Sequence, residues 1–259
     1  MARATEKVVK ASRSTIQLTP MEVPKASDVL ANELRERILS GEYEEGTPLP
    51  PERELVVQTR MSRTTVREAL RILEVQGLVR IKAGRAGGAF VQKPGGESMA
   101  NSVALLIRGQ QIRLAALHET REAIEPFCAR LAAKYRTAED LRALDAANEA
   151  IAAAGDDLDA FLRANVDWHV GVSNASHNEL LMGMMTALSR AIYTATENEG
   201  FITDTVRSTT LRAHRSITRA IREQDPDAAL RRMTRHVHSY AEAALAVDER
   251  VDITLPADE

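Results

Sequence analysis

The sequence predicts a mainly α-helical protein in two parts: a small N-terminal unit of helices carrying a short β-wing, joined to an all-α bundle. Three observations lead there. Val66, Leu70 and Leu73 recur at helical spacing behind a face that carries Arg63, Thr64, Thr65 and Arg67. A glycine-rich stretch, Ala83-Gly-Arg-Ala-Gly-Gly, separates two runs that can pair as strands, Leu78 to Lys82 and Ala89 to Gln92. From Ser98 onward Ala and Leu abound, prolines are few, and apolar residues recur at three and four. A chain of 259 residues is long enough for two domains, one of roughly 70 and one of roughly 150 residues.

The elements follow in order. Residues 1–24 hold Arg3, Lys7, Lys10 and Arg13 among small polar residues without an apolar segment, and read as a flexible basic N-terminal arm rather than a secretion signal. Residues 25–93 form the first domain. Leu-Pro-Pro-Glu-Arg-Glu-Leu opens a short helix with Pro51 in its first turn, where a missing N–H costs nothing. Ser62 is placed to cap a second helix, so that its first turn presents arginines and hydroxyls while the apolar stripe packs inward. Gly77 ends that helix, and the ribbon follows. Two angled helices and a ribbon are a winged helix-turn-helix pattern, and the arginine-bearing face suits the DNA major groove.

Residues 94–111 read as a linker and connecting helix, 112–248 as the helical domain and 249–259 as a tail. Helices are expected near 98–109, 112–135, 137–154, 157–176, 178–199, 203–224 and 226–248. Their junctions carry a capping box at Thr137-Ala-Glu-Asp, a turn at Gly155-Asp-Asp, a cap at Asn178, a break at Gly200 and a start at Asp225-Pro-Asp.

Charge separates the two parts. From Arg60 to Lys93 there are eight Lys or Arg against two acids, in a chain whose net charge is −3. A solvated helix face is the ordinary meaning of a charge run. Clustering on one helix and the wing, within a chain that is acidic overall, instead marks a phosphate-binding surface. The residues expected to read DNA are Arg63 and Arg67 on guanine or flanking phosphate, and Thr64 and Thr65 on the backbone or a thymine methyl. Arg53 is expected on a phosphate at the groove edge, and Gly84 with Arg85 in the minor groove. One cysteine, Cys128, excludes an internal disulfide and fits a reducing, cytoplasmic compartment. The sequence has no apolar run of membrane-spanning length.

The helical part holds a second constellation. His169, His214 and His236 lie in three different helices, and Asn165 shares a face with His169 at i, i+4. Imidazoles converging from facing helices suit a divalent transition metal such as zinc or nickel. Spacing alone does not establish convergence, and single histidines are more often hydrogen-bonded or exposed. Without a general base in a His-Glu-x-x-His-like arrangement, a hydrolytic metal centre is disfavoured, so the chain is read as no enzyme. Arg121, taken by its spacing alone, can pair on the surface with Glu125 four residues on.

Taken together, Leu-Pro-Pro-Glu-Arg-Glu-Leu, Ser-Arg-Thr-Thr-Val-Arg-Glu-Ala-Leu, Leu-Glu-x-x-Gly-Leu-Val and the glycine-rich wing resemble the DNA-binding domain of the GntR family of bacterial transcription regulators. Residues 112–248 resemble the FCD ligand-binding domain of that family's FadR-type subgroup, through Glu119-Thr-Arg-Glu-Ala-Ile-Glu-Pro, Asn165-x-x-Trp-His with Ala175-Ser-His-Asn, and Ala228-x-x-x-x-Met-x-x-His. The resemblance implies a metal set of Asn165, His169, His214 and His236, and a small carboxylate effector that pairs with Arg121. Asn165 stands where the family has Asp or Asn; its neutral oxygen leaves more positive charge at the site than a carboxylate would. Asp167, two residues along, points to a different face. The resemblance further implies a homodimer that binds a palindromic DNA operator, most often as a repressor. His118, His177 and His238 have no such motif and read as structural or exposed.

Overall fold

The computed structural model describes residues 23–84, 87–93, 96–198 and 201–255. Residues 1–22 of the basic arm, Arg85, the Pro94-Gly95 link and the Gly200 break fall outside the described residues. Contacts divide the chain into two compact units: residues up to Val75 with Val79–Val91, and Gln76–Leu78 with Gln92 onward.

The first unit contains α1 (Ala26–Leu39), α2 (Glu52–Thr59), α3 (Arg63–Val75), β1 (Val79–Lys82) and β2 (Gly88–Val91). Its core is the meeting of apolar stripes, with Leu30, Ala31 and Leu34 from α1, Leu55 from α2 and Val66, Ala69, Leu70 and Leu73 from α3 all buried. Pro51 sits one residue earlier than expected, as the capping residue before α2 rather than within its first turn. The turn between α2 and α3 is tight because Arg60 takes a left-handed conformation, φ 56°. Ser62 caps α3 as its position predicts, its Oγ accepting from the Thr65 amide at 3.1 Å.

The wing is antiparallel, with Val79 opposite Val91 and Lys82 opposite Gly88. The segment before α2 joins it from the other side: the Leu49 amide donates to the Ala89 carbonyl at 2.8 Å and the Val91 amide to Thr47 at 2.9 Å. Sequence reading missed this third strand-like piece, since two prolines and short length hide it. At the tip Gly84 takes φ +106°, which a side chain rarely tolerates.

The second unit is all α among its described residues: α4 (Gly96–Gln110), α5 (Leu114–Tyr135), α6 (Ala138–Ala153), α7 (Leu158–Asn174), α8 (Glu179–Thr196), α9 (Asp204–Arg222) and α10 (Pro226–Val247). The expected starts hold. Thr137 and Asp140 form a reciprocal capping box, Asn178 accepts from the Leu181 amide, and Asp225 caps α10 with Pro226 in its first turn. α5 lies against α10, α6 against α7 and α9, and α4 against α8. Trp168, Leu162, Met185, Ile192, Ile217 and Met233 fill the centre.

Residues beyond α10, read from sequence as a tail, return to the bundle over 249–255. The Leu114 amide donates to the Val251 carbonyl at 2.8 Å and the Ile253 amide to Ile112 at 2.9 Å. Ile253 and Leu255 are buried in the core. Short alternating sequence, too brief for a periodic signal, conceals this pairing. No helix among the described residues is long and apolar enough to cross a membrane.

Candidate functional site

In the first unit the residues chosen to read DNA lie on α2, α3 and the wing, with Arg85 outside the described residues. Arg63, Thr64 and Arg67 are exposed, as are Arg53 on α2 and Gly84 at the wing tip. Thr65 is half-buried and its hydroxyl lies 2.8 Å from Ser62 Oγ, so part of its bonding capacity serves the cap. Arg67 donates through Nε to Glu52 Oε2 at 2.9 Å. Both partners are substantially solvated, so the pair is weak and easily exchanged for a phosphate. Arg71 and Arg80 are exposed, and Lys82 lies 4.6 Å over the Phe90 ring on the wing.

In the second unit α7, α9 and α10 bring His169, His214 and His236 together. Among the described residues they form a cluster whose ligating nitrogens all lie within 4.8 Å of one another. His214 Nε2 is 3.0 Å from His236 Nε2. Nitrogens held at metal bonds of about 2.0–2.1 Å stand roughly 3 Å apart around a shared ion. The donor set therefore fits a divalent metal in spacing and in chemistry. Asn165 is buried one turn before His169 on α7.

Protonation favours the same conclusion. Burial pushes His236 down to about 3, and burial likewise holds His214 well below its ordinary value. His169 is also lowered by burial, opposed by Glu125. All three are neutral near pH 7, as metal ligands must be. His214 Nδ1 has no hydrogen-bond partner although buried.

Glu125 was missed as a functional residue. It is 1% exposed on α5, and its Oε2 lies 2.5 Å from His169 Nδ1. Burial raises its carboxyl, but Arg121 and His169 outweigh burial and hold it below the usual carboxylate range. As a carboxylate it only accepts, so His169 Nδ1 carries the proton. Arg121 Nη2, which only donates, faces His169 Nε2 at 3.3 Å, so the lone pair is on Nε2. The two contacts fix the Nδ1–H tautomer that ligation needs, and a metal on Nε2 would take the lone pair that Arg121 holds here. Sequence offered one signal, the i, i+4 pairing of Arg121 with Glu125, as the surface alternative to the pocket role that the family resemblance implies. It is a buried pair, Nε to Oε1 2.6 Å, with Arg121 3% exposed.

Trp168 orients His214. Their rings stack at 3.6 Å and 7°, and the indole is tethered by its N–H to Thr218 Oγ1 at 3.1 Å. Between α9 and α10 lies a cavity of about 340 Å³ with His236 in its wall, and Arg121 is not among its lining residues. His118 is buried against Tyr240, while His177 pairs with Asp140 and His238 with Glu122 at the surface.

Residues 26–91 match the bacterial regulatory proteins of the gntR family, and residues 116–239 match the FCD domain. The galactonate operon transcriptional repressor of Escherichia coli strain K12 is 32% identical over 207 residues, covering 78% of this chain and 90% of that protein. The chain belongs to the GntR family. The regulator is also 30% identical over 235 residues to the HTH-type transcriptional repressor NanR of Klebsiella aerogenes, covering 88% of each. A Streptococcus agalactiae GntR structure matches with a TM-score of 0.68 at 28% identity, over 84% of this chain and 99% of that one. Both matched families are regulators, not enzymes, and the winged unit makes this a DNA-binding protein.

Proposed function

We propose that the regulator is a cytoplasmic, FadR-type repressor that binds a palindromic operator as a homodimer and is modulated by a small carboxylate held beside a divalent metal in the FCD domain. The observation that carries the effector half is the neutral histidine trio beside the α9–α10 cavity. His169, His214 and His236 would hold zinc or nickel, with Asn165 as the fourth protein ligand. The metal would supply a fixed positive charge for an anion. Arg121, largely neutralised by Glu125, adds to that field beside His169.

In the winged unit, Arg63 and Arg67 take guanine or phosphate, and Thr64 and Thr65 the backbone or a methyl. Arg53, Gly84 and Arg85 complete the contact with phosphate and minor groove. One winged module buries too little surface to select a site among genomic competitors, which favours two related by a two-fold axis. The relatives' names as repressors support the direction of control.

Operator titrations with and without candidate carboxylates, on protein of measured metal content, test this reading. A metal-loaded dimer whose operator affinity shifts at least tenfold with a carboxylate is expected. By linkage the DNA complex must then bind that carboxylate tenfold more weakly or more tightly, a coupling of about 1.4 kcal/mol. A strictly monomeric protein in sedimentation, or a metal-free protein with full response, would contradict it.

A further inference from the structure

The cavity between α9 and α10 is polar at one end and apolar at the other. Along α10 its wall is the stripe Arg232, Arg235, His236, Ser239, Tyr240 and Ala243, which the helical repeat aligns on one face. Arg232 and Ala243 are eleven positions apart, about 16 Å along the axis. The basic end holds Arg232 and Arg235, with Ser216 from α9. The far end is formed by Phe201, Val206, Tyr240 and Ala243, and Phe201 and Tyr240 meet edge to face with centroids 5.3 Å apart. His236 and Thr210 are its buried members, between the two ends.

Charge in this cavity is one-sided. No acidic residue lines it, and neither arginine makes an ion pair among the described residues. Arg232 is half-buried and spends one Nη on the Ser216 carbonyl at 2.6 Å, while Arg235 is exposed at the mouth. Thr205, Thr209, Thr210, Ser216, Ser239 and Tyr240 bring hydroxyls to the lining, yet the cavity surface as a whole is mostly carbon. An apolar body gains more from burial against this carbon than a polyol does, whose every hydroxyl would have to find one of those few polar atoms. The volume, about 340 Å³, is that of roughly ten water-sized groups.

We infer that the effector is a hydrophobic monocarboxylate of about ten non-hydrogen atoms, its acid group at the Arg232–Arg235 end beside His236 and its ring or branched body against Phe201, Val206, Tyr240 and Ala243. This rests on the effector site proposed above and specifies its chemical class. The two arginines orient the acid, and the apolar end selects the body.

The test uses full-length protein with its metal and reads the fluorescence of Trp168, the single tryptophan, which stacks on His214. Phenylacetate, its neutral amide phenylacetamide and the similarly sized polyol acid threonate are titrated in parallel. Phenylacetate is expected to bind at least tenfold more tightly than either. Arg235→Gln should weaken phenylacetate about tenfold and remove its advantage over the amide. Ala243→Phe should fill the apolar end without adding a second tryptophan and weaken it at least tenfold, with Ala243→Leu as the milder variant should the first not fold. Threonate binding as tightly as phenylacetate, or phenylacetate indifferent to both substitutions, overturns the inference. If threonate binds and Arg235→Gln weakens it, the effector site stands and only the apolar class falls. If no acid binds, both fall.

Discussion

The winged unit and the helical unit use their polar residues in opposite ways. On α3 the candidate arginines are exposed and, apart from the Arg67–Glu52 pair, have little to hold them in place. In the bundle the candidate groups are interior: His169, His214, Arg121 and Glu125 are at most 3% exposed, with Glu125 in short contact with both Arg121 and His169. An outward surface waits for a large, highly charged partner and can tolerate loss of one contact. An inward site is preorganised, so one lost partner leaves a buried group unsatisfied. Every histidine in the sequence, moreover, lies in the helical unit.

The largest effect separating the two units should come from His214→Ala or His236→Ala. Losing a ligand exceeds the roughly 10–100-fold cost typical of losing a ligand's hydrogen-bond partner. Metal affinity should therefore fall by more than about a hundredfold, with the effector response abolished and operator binding by unliganded protein kept within about threefold. Metal analysis and operator titration on the same preparations check it; full metal content in both variants would make these histidines structural.

Next is Glu125→Ala. It strands the Arg121 guanidinium in the interior, which costs about 3–5 kcal/mol and should lower the melting temperature of the helical unit by about 10 °C. An unchanged melting temperature would mean that Arg121 finds water instead.

Acid should distinguish the units as well. His236, at about 3 in the folded protein against 6.5 ordinarily, binds its proton in the unfolded chain first. Its contribution to stability is therefore complete above about pH 6.5 and declines as pH falls, by up to about 1.4 kcal/mol per pH unit. His169 and His214 act in the same direction. Glu125, held low, loses its contribution on further acidification below its ordinary value of 4.5. Metal-stripped protein should thus lose the helical unit between pH 6 and 4 while the wing unit, lacking histidine, persists. Circular dichroism resolved by unit, with isolated segment signals in NMR, would show the reverse order if the comparison fails.

On the outward face the effects are smaller. Arg63→Ala should weaken specific operator binding roughly tenfold, within the 1–3 kcal/mol typical of one bidentate base contact. Glu52→Gln releases Arg67 from its exposed partner, and such pairs are worth less than about 1 kcal/mol. A gain of no more than about fivefold in operator affinity at low salt is expected, vanishing at high salt. Mobility-shift titrations at two ionic strengths read both; an Arg63→Ala protein with unchanged affinity would remove α3 as the reading helix.

The same contrast explains what sequence revealed. Ser62, Arg63 and the apolar positions of α3 lie within one local stretch, so periodicity and capping chemistry placed them correctly. Helix starts at Thr137, Asn178 and Asp225 were legible for that reason too. The histidine trio is assembled across α7, α9 and α10, and no spacing rule links positions 169, 214 and 236; only resemblance to a family brought them together. Glu125 escaped because i, i+4 pairing looks alike in water and in a core. Nothing in the sequence singles out Arg232 and Arg235, since the cavity they border exists only once α9 and α10 are packed.

The return of residues 251–255 to the start of α5 has a topological consequence. Val251 and Ile253 hydrogen-bond to Leu114 and Ile112, so the start of α5 and the segment after α10, which flank the FCD match, meet on one side of the bundle. A chain whose ends adjoin can be cut elsewhere and rejoined there by a short bridge. The effector-sensing portion is thus a natural cassette for circular permutation, in which new ends opened at the Gly155 turn would leave the α7–α9–α10 histidines in their helices, while a truncation before Ile253 would uncover the core that Ile253 and Leu255 now close.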